Sequence, residues 1–255
     1  MTRTGQGRSH HTDQFLVADL GTAVTLRQSS GSGVYRSDAE VQSRATALLV
    51  ADSAGGDGLD VSGRLRNAIL ASVGARVPWL LSLPAYRPDE AVAVLVSVVR
   101  DAIAAAAPAA SDRKPLTTTS IVFACVVWPH LLLAHSGTSC CYLHRRGTLR
   151  QLTRPEDPDG LPAAEGEADD APSERGLSPT GRRLRLGLGD ELLLCSDGLT
   201  AHVSEDTIAR LTRKEELAAN AWTSLIDAAE SAGAEDDITV VAAKIKAAPG
   251  AKEGR

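Results

Sequence analysis

Aromatic side chains are scarce in this chain. Of 255 residues, three are Trp, three Tyr and two Phe, against 40 alanines. Stacking platforms for nucleic-acid bases are therefore not expected. No excess of basic charge is present either: Lys and Arg number 27, Asp and Glu 32, for a formal charge of −5. A phosphate backbone needs clustered Lys and Arg, so nucleic acid is not the expected partner. Long apolar runs are also missing. The longest, Ser120 to His135, holds Pro129 and His130 and falls short of the roughly 20 residues that cross a bilayer. The opening MTRTGQGRSHHTDQ has no apolar core of the kind a secretory signal needs. Neither a membrane segment nor export is expected. Cysteines are few (Cys125, Cys140, Cys141 and Cys195) and show no CxxC spacing. Three sit in apolar runs, so they read as reduced core thiols of a cytoplasmic protein.

What is present is a globular composition, 43% hydrophobic and 23% charged, on a chain long enough to bury a core. Strand-length aliphatic blocks occur at Phe15–Leu20, Thr46–Ala51, Thr119–Val127, Leu131–His135, Cys140–Arg145, Glu191–Cys195 and Ile238–Ile245. Gly147 marks a hairpin between Cys140–Arg145 and Thr148–Leu152. Helical patterns cover Val61–Val73, a run from Pro88 to Ala107, Glu205–Arg213 and Glu215–Ala232. Strands interrupted by helix pairs predict an α+β fold, a central antiparallel β-sandwich flanked by pairs of helices. The domain is expected over residues 1–246, with a polar tail at 247–255. Gln28–Asp38 is Ser/Gly-rich and reads as a surface loop. Residues 155–175 hold eight acids, one Arg and a single large aliphatic residue, Leu161. They read as a mobile acidic insertion.

The informative acids stand at strand ends beside small residues. Asp52 closes an apolar run and precedes Ser53-Ala54-Gly55-Gly56; Asp197 follows Leu192–Ser196 and precedes Gly198. Asp236 and Asp237 lead into Ile238-Thr239-Val240-Val241, and Asp13 stands just before Phe15-Leu16-Val17. Taken singly, each reads more readily as a turn residue than as a ligand. Gathered in one cleft they would repel unless protons or cations neutralise them. Hard oxygen donors suit Mg²⁺ or Mn²⁺ better than zinc.

In this order the motifs resemble the type 2C metal-dependent Ser/Thr protein phosphatases, the PPM family, in a divergent bacterial-like form. Arg8 and Asp13 match the family's opening Arg and its Asn-Glu-Asp-like triplet. Asp52-Ser53-Ala54-Gly55-Gly56 is similar to the Asp-Gly-x-Gly-Gly loop, and Thr117-Thr118-Thr119 to a Thr-Thr pair before a central strand. Ser196-Asp197-Gly198-Leu199 and Asp236-Asp237-Ile238-Thr239 match the two closing elements, so the resemblance runs over residues 8–245. It implies two divalent cations, Mn²⁺ or Mg²⁺. Asp52 would bridge both, Asp197 and Asp236 would complete one, and Asp13 with the Ser53 backbone carbonyl would serve the other. Arg8 would bind phosphate. The implied reaction is hydrolysis of phosphoserine and phosphothreonine in proteins through a metal-activated bridging water, on substrates supplied by a cognate protein kinase. The alternative is a pseudophosphatase that keeps the fold as a phosphoprotein-binding or regulatory module.

Five departures from the family pattern bear on that choice. Ser53 stands in place of Gly, and Thr12 in place of an acidic or amide residue. Thr138 stands where an Asp helps hold a third metal, so no ordinary third site is expected. Asp237 replaces Asn, adding negative charge near the cations. Ala54 stands where a His general acid is found in some members, which leaves His10 and His11 either as proton donors or as exposed polar residues of a start loop.

Overall fold

Alternating aliphatic residues build two antiparallel sheets that pack face to face. In this computed structural model the described residues are 1–5, 11–20, 24–30, 45–53, 58–82, 87–106, 119–154, 179–212 and 220–246. The acidic segment 155–175, the tail 247–255, Arg8 and His10 lie outside them. The elements run β1 (Thr2–Arg3), β2 (Gln14–Leu20), β3 (Val24–Ser29), β4 (Ala45–Ser53), α1 (Gly58–Ser82) and α2 (Pro88–Ala106). Then follow β5 (Thr119–Val127), β6 (His130–Ser136), β7 (Cys140–Arg145), β8 (Thr148–Gln151), β9 (Thr180–Arg185) and β10 (Glu191–Cys195). The chain closes with α3 (Asp197–Thr200), α4 (Glu205–Thr212), α5 (Asn220–Ser231) and β11 (Ile238–Lys244). One sheet has the order β1-β11-β10-β7-β8 and the other β3-β2-β4-β5-β6-β9.

The strands read as near-continuous apolar runs because both faces of each sheet are covered. Period two sorts their residues. Leu48 and Val50 of β4 point between the sheets, with Val122, Leu131, Cys141, Leu192, Leu194 and Val241. Ala47, Leu49 and Ala51 point the other way, onto Leu65, Ile69 and Val73 of α1 and Leu95, Val98 and Val99 of α2. On the opposite outer face Tyr142, Leu193, Ile238 and Val240 pack against Leu199, Ile208, Leu225 and Ile226. The result is helix, sheet, sheet, helix, as the sequence predicts.

Several elements escape the sequence pattern. β9, TGRRLR, carries one aliphatic residue because an edge strand needs few. Gln28 and Ser29, read as loop, end strand β3, and α1 extends well beyond Val61–Val73. Asp197, expected as a ligand at a strand end, opens the short helix α3.

Candidate metal centre

The same alternation that fills the inter-sheet core delivers the acids to its end. Asp52 follows Leu48 and Val50 on the inward-facing side of β4 and pairs with Ser120 of β5. Asp13 precedes the inward-facing Phe15 and Val17 of β2. From the other sheet, β10 leads to Asp197 and β11 starts just after Asp236. One carboxylate oxygen from each of Asp52, Asp197 and Asp236 lies within 4.8 Å of the others.

Electrostatics make this arrangement costly without a cation. Asp52 is buried, and burial first, then the charges of Asp13, Asp197 and Asp236, push its carboxyl far above the ordinary range. Asp13 is fully buried. Burial raises its carboxyl too, against opposing effects of the Asp52, Ser196 and Thr239 side chains and His11. Among the described residues neither Asp13 oxygen has a hydrogen-bond partner, and neither does Asp197 Oδ1. Buried acceptors left unpaired are rare. Here they are hard oxygens converging from both sheets, the donor chemistry of Mg²⁺ or Mn²⁺. The residues present therefore fit a divalent-cation site.

The surrounding groups fix these acids. Thr138 Oγ1 donates to Asp197 Oδ2 at 2.8 Å, which leaves Oδ1 as the open ligand. The Asp237 N–H donates to Asp236 Oδ1 at 2.7 Å. Asp237 differs from expectation. Its oxygens accept from Gly5 N–H and from both N–H and Oγ1 of Thr12, so it acts as an anchor for the N-terminal segment. Burial raises its carboxyl, but those hydrogen bonds and the charge of His11 hold it below the usual carboxylate range overall. Ser53 is buried at the end of β4. Gly198 packs its backbone onto the 236–237 turn: a Cβ there would lie 2.1 Å from the Asp237 carbonyl oxygen.

Of the histidines, His11 is brought to the site. Its Nδ1 lies 3.1 Å from the Asp13 carbonyl oxygen, to which it donates as the Nδ1–H tautomer. Its Nε2 is buried without a hydrogen-bond partner among the described residues. His135 is a satisfied core residue, bonded to the Arg154 carbonyl and the Thr180 hydroxyl. Sequence reasoning passed over two residues. A cavity of about 440 Å³ beside Asp197 and Asp236 is lined also by His202 and Glu235. His202 stands just past α3, five residues beyond Asp197, and that spacing was the available signal.

The sequence and the fold have counterparts among known proteins. No family model matches the chain. Over 246 residues, 87% of its length, it is 32% identical to the serine/threonine protein phosphatase PstP of Mycobacterium tuberculosis. That alignment covers 45% of PstP, so the chain spans about half the length of this relative. A serine/threonine phosphatase from S. agalactiae superposes with a TM-score of 0.67 at 20% identity, covering 96% of this chain and 98% of that one. The PstP catalytic domain in complex with two manganese ions gives a TM-score of 0.61 at 23% identity, covering 97% and 96%. In sequence the chain is similar to a bacterial serine/threonine protein phosphatase, and its fold is that of the solved serine/threonine phosphatases.

Proposed function

We propose that this protein hydrolyses phosphoserine and phosphothreonine monoesters in proteins, with two divalent cations, Mn²⁺ or Mg²⁺, as cofactors. The observation that carries the reading is the meeting of Asp52, Asp197 and Asp236 within 4.8 Å, beside a buried Asp13 with no hydrogen bond of its own among the described residues. The manganese complex of the PstP catalytic domain supports the choice of cofactor. Asp52 would ligate both cations, Asp197 and Asp236 one of them, and Asp13 with the Ser53 carbonyl the other. When bound, such ions supply Lewis acidity, lowering the pKa of water and offsetting charge on phosphoryl oxygens.

The chain's own residues do the orienting. Thr138 and the Asp237 amide fix which oxygens of Asp197 and Asp236 face the site. Arg8 is assigned to the phosphate, whose oxygens a guanidinium matches bidentately. With Nδ1 of His11 engaged on the Asp13 carbonyl, Nε2 is the nitrogen able to carry a proton to a departing alkoxide. The cavity lined by His202 and Glu235 gives the phosphorylated side chain a place beside the carboxylates. Phosphoproteins made by a cognate kinase are the expected substrates, acted on by a single domain over residues 1–246 that carries the acidic insertion 155–175. Four buried, unpaired thiols support a reducing, cytoplasmic setting.

Hydrolysis of p-nitrophenyl phosphate with Mn²⁺, with and without chelator, tests the reading. Activity should require the cation and fall about 10²-fold or more in Asp52→Ala and Asp197→Ala. A wild-type rate no higher than those variants would leave the binding-module alternative.

A further inference from the structure

We propose that Asp237 is a positioning residue: it ties the Asp13 segment to Asp236 and so sets the affinity for the cation that Asp13 serves. The inference rests on the metal reading above but concerns residues that ligate nothing.

The Asp13 carboxylate is only weakly held by its own side-chain surroundings, Ser196 and Thr239 standing near it without a formed hydrogen bond. It is fully buried, faces another acid, and accepts no hydrogen bond among the described residues. The formed hydrogen bonds that place it belong to its backbone neighbours. Thr12, the preceding residue, gives both its N–H and its hydroxyl to Asp237 Oδ2. The Thr12 carbonyl accepts from Ser62 Oγ of α1, and the Asp13 carbonyl from the His11 ring. On its other oxygen Asp237 takes the Gly5 N–H at 2.9 Å. Its own backbone N–H meanwhile holds Asp236 Oδ1 at 2.7 Å. One residue, 1% exposed, thus joins the acid arriving from β2 to the acid arriving at β11.

A carboxylate is the group this position needs. Gly5 and Thr12 meet the Asp237 side chain with backbone N–H groups that cannot reverse, and the Thr12 hydroxyl donates beside them. An amide of the same shape offers one accepting oxygen and would set its NH₂ against a donor. The departures at positions 12 and 237 are therefore one feature, a hydroxyl donor matched to a carboxylate. Contact is close as well as polar: a Cβ on Gly5 would lie 2.2 Å from the Glu235 carbonyl oxygen and 2.7 Å from the Asp236 carbonyl carbon. Groups that orient ligands in this way commonly change metal affinity about 10- to 100-fold when altered.

Calorimetric titration of the whole chain with Mn²⁺ tests this, using wild type, Asp237→Asn, Thr12→Val and Asp13→Asn, with the melting temperature of each metal-free protein. Wild type should show two binding events and Asp13→Asn should lose one. Asp237→Asn should weaken that same event about tenfold or more, leaving the other within about twofold; Thr12→Val should weaken it less. Wild-type affinities in Asp237→Asn would overturn the proposal. So would an equal loss of both events with a fallen melting temperature, which marks a merely structural role. If Asp237→Asn does not fold, Thr12→Val decides, and unchanged affinities there overturn it. A wild type that binds no Mn²⁺ would instead sink the metal reading itself, and the positioning role with it.

Discussion

Asp52 carries the sharpest conflict in the molecule: a buried carboxylate aimed at three others. Removing its charge should relieve the metal-free protein and ruin the metal-bound one. In Asp52→Asn we expect the metal-free melting temperature to rise by roughly 2–8 °C, corresponding to about 1–2 kcal/mol. The stabilisation that Mn²⁺ is expected to give wild type should be absent from this variant. A melting temperature lowered in chelator would show that Asp52 is held by something other than tolerated repulsion. The same conflict fixes a pH dependence. Asp13 and Asp52 hold their protons more tightly folded than unfolded. The native state then binds more protons than the unfolded chain, and unfolding free energy falls as pH rises above the ordinary carboxylate value of about 4. Metal-free protein should therefore lose stability from about pH 5 to about pH 8, and Mn²⁺ should restore more of it at the higher pH. Calorimetric scans with and without Mn²⁺ check this, and a metal-free melting temperature that climbs with pH contradicts it.

At the scale of elements, the site depends on how closely the 235–237 turn is packed. Gly198 at the start of α3 meets Asp237 where a Cβ would stand 2.1 Å from its carbonyl oxygen and 2.9 Å from its carbonyl carbon. Backbone cannot move aside as a side chain can. Gly198→Ala should cost about 1–3 kcal/mol and, by shifting Asp197 against Asp236, weaken Mn²⁺ binding. Chemical denaturation and metal titration of the variant check both effects. The strands that carry the acids were legible in sequence because both faces of each sheet are apolar: β2, β4, β10 and β11 fall where the aliphatic blocks lie. β3 and β9 were not legible, for the opposite reason. They are edge strands, paired on one side only, and VTLRQS and TGRRLR need few aliphatic residues. For the site, strand ends located Asp13, Asp52, Asp197 and Asp236, and the resemblance of their order to the phosphatase motifs united them. Thr138 and Asp237 were read as departures from a pattern. Their work as hydrogen-bond partners of Asp197 and Thr12 is tertiary, and no local pattern encodes it.

Across the whole molecule, the net charge of −5 does not describe a generally acidic protein. Residues 155–175 contribute −7, so the rest of the chain carries +2 even with Asp13, Asp52, Asp197 and Asp236 counted. Among the described residues no helix is long and apolar enough to cross a membrane. The four cysteines are buried and unpaired, and burial raises the thiols of Cys125, Cys140, Cys141 and Cys195. Native protein should therefore resist a thiol reagent such as dithionitrobenzoate, and four thiols should react once it is unfolded in urea. Prompt reaction of the native protein would mean that the outer-face packing of Cys140 and Cys195 opens readily.

All of this turns on whether acids from two sheets meet to hold cations. Anomalous scattering from crystals soaked in Mn²⁺ measures that directly. The account predicts two ions flanking the Asp52 carboxylate, one also bound by Asp197 and Asp236 and the other on the Asp13 side. No ion at Asp52, in crystals that diffract well enough to show its side chain, would contradict it.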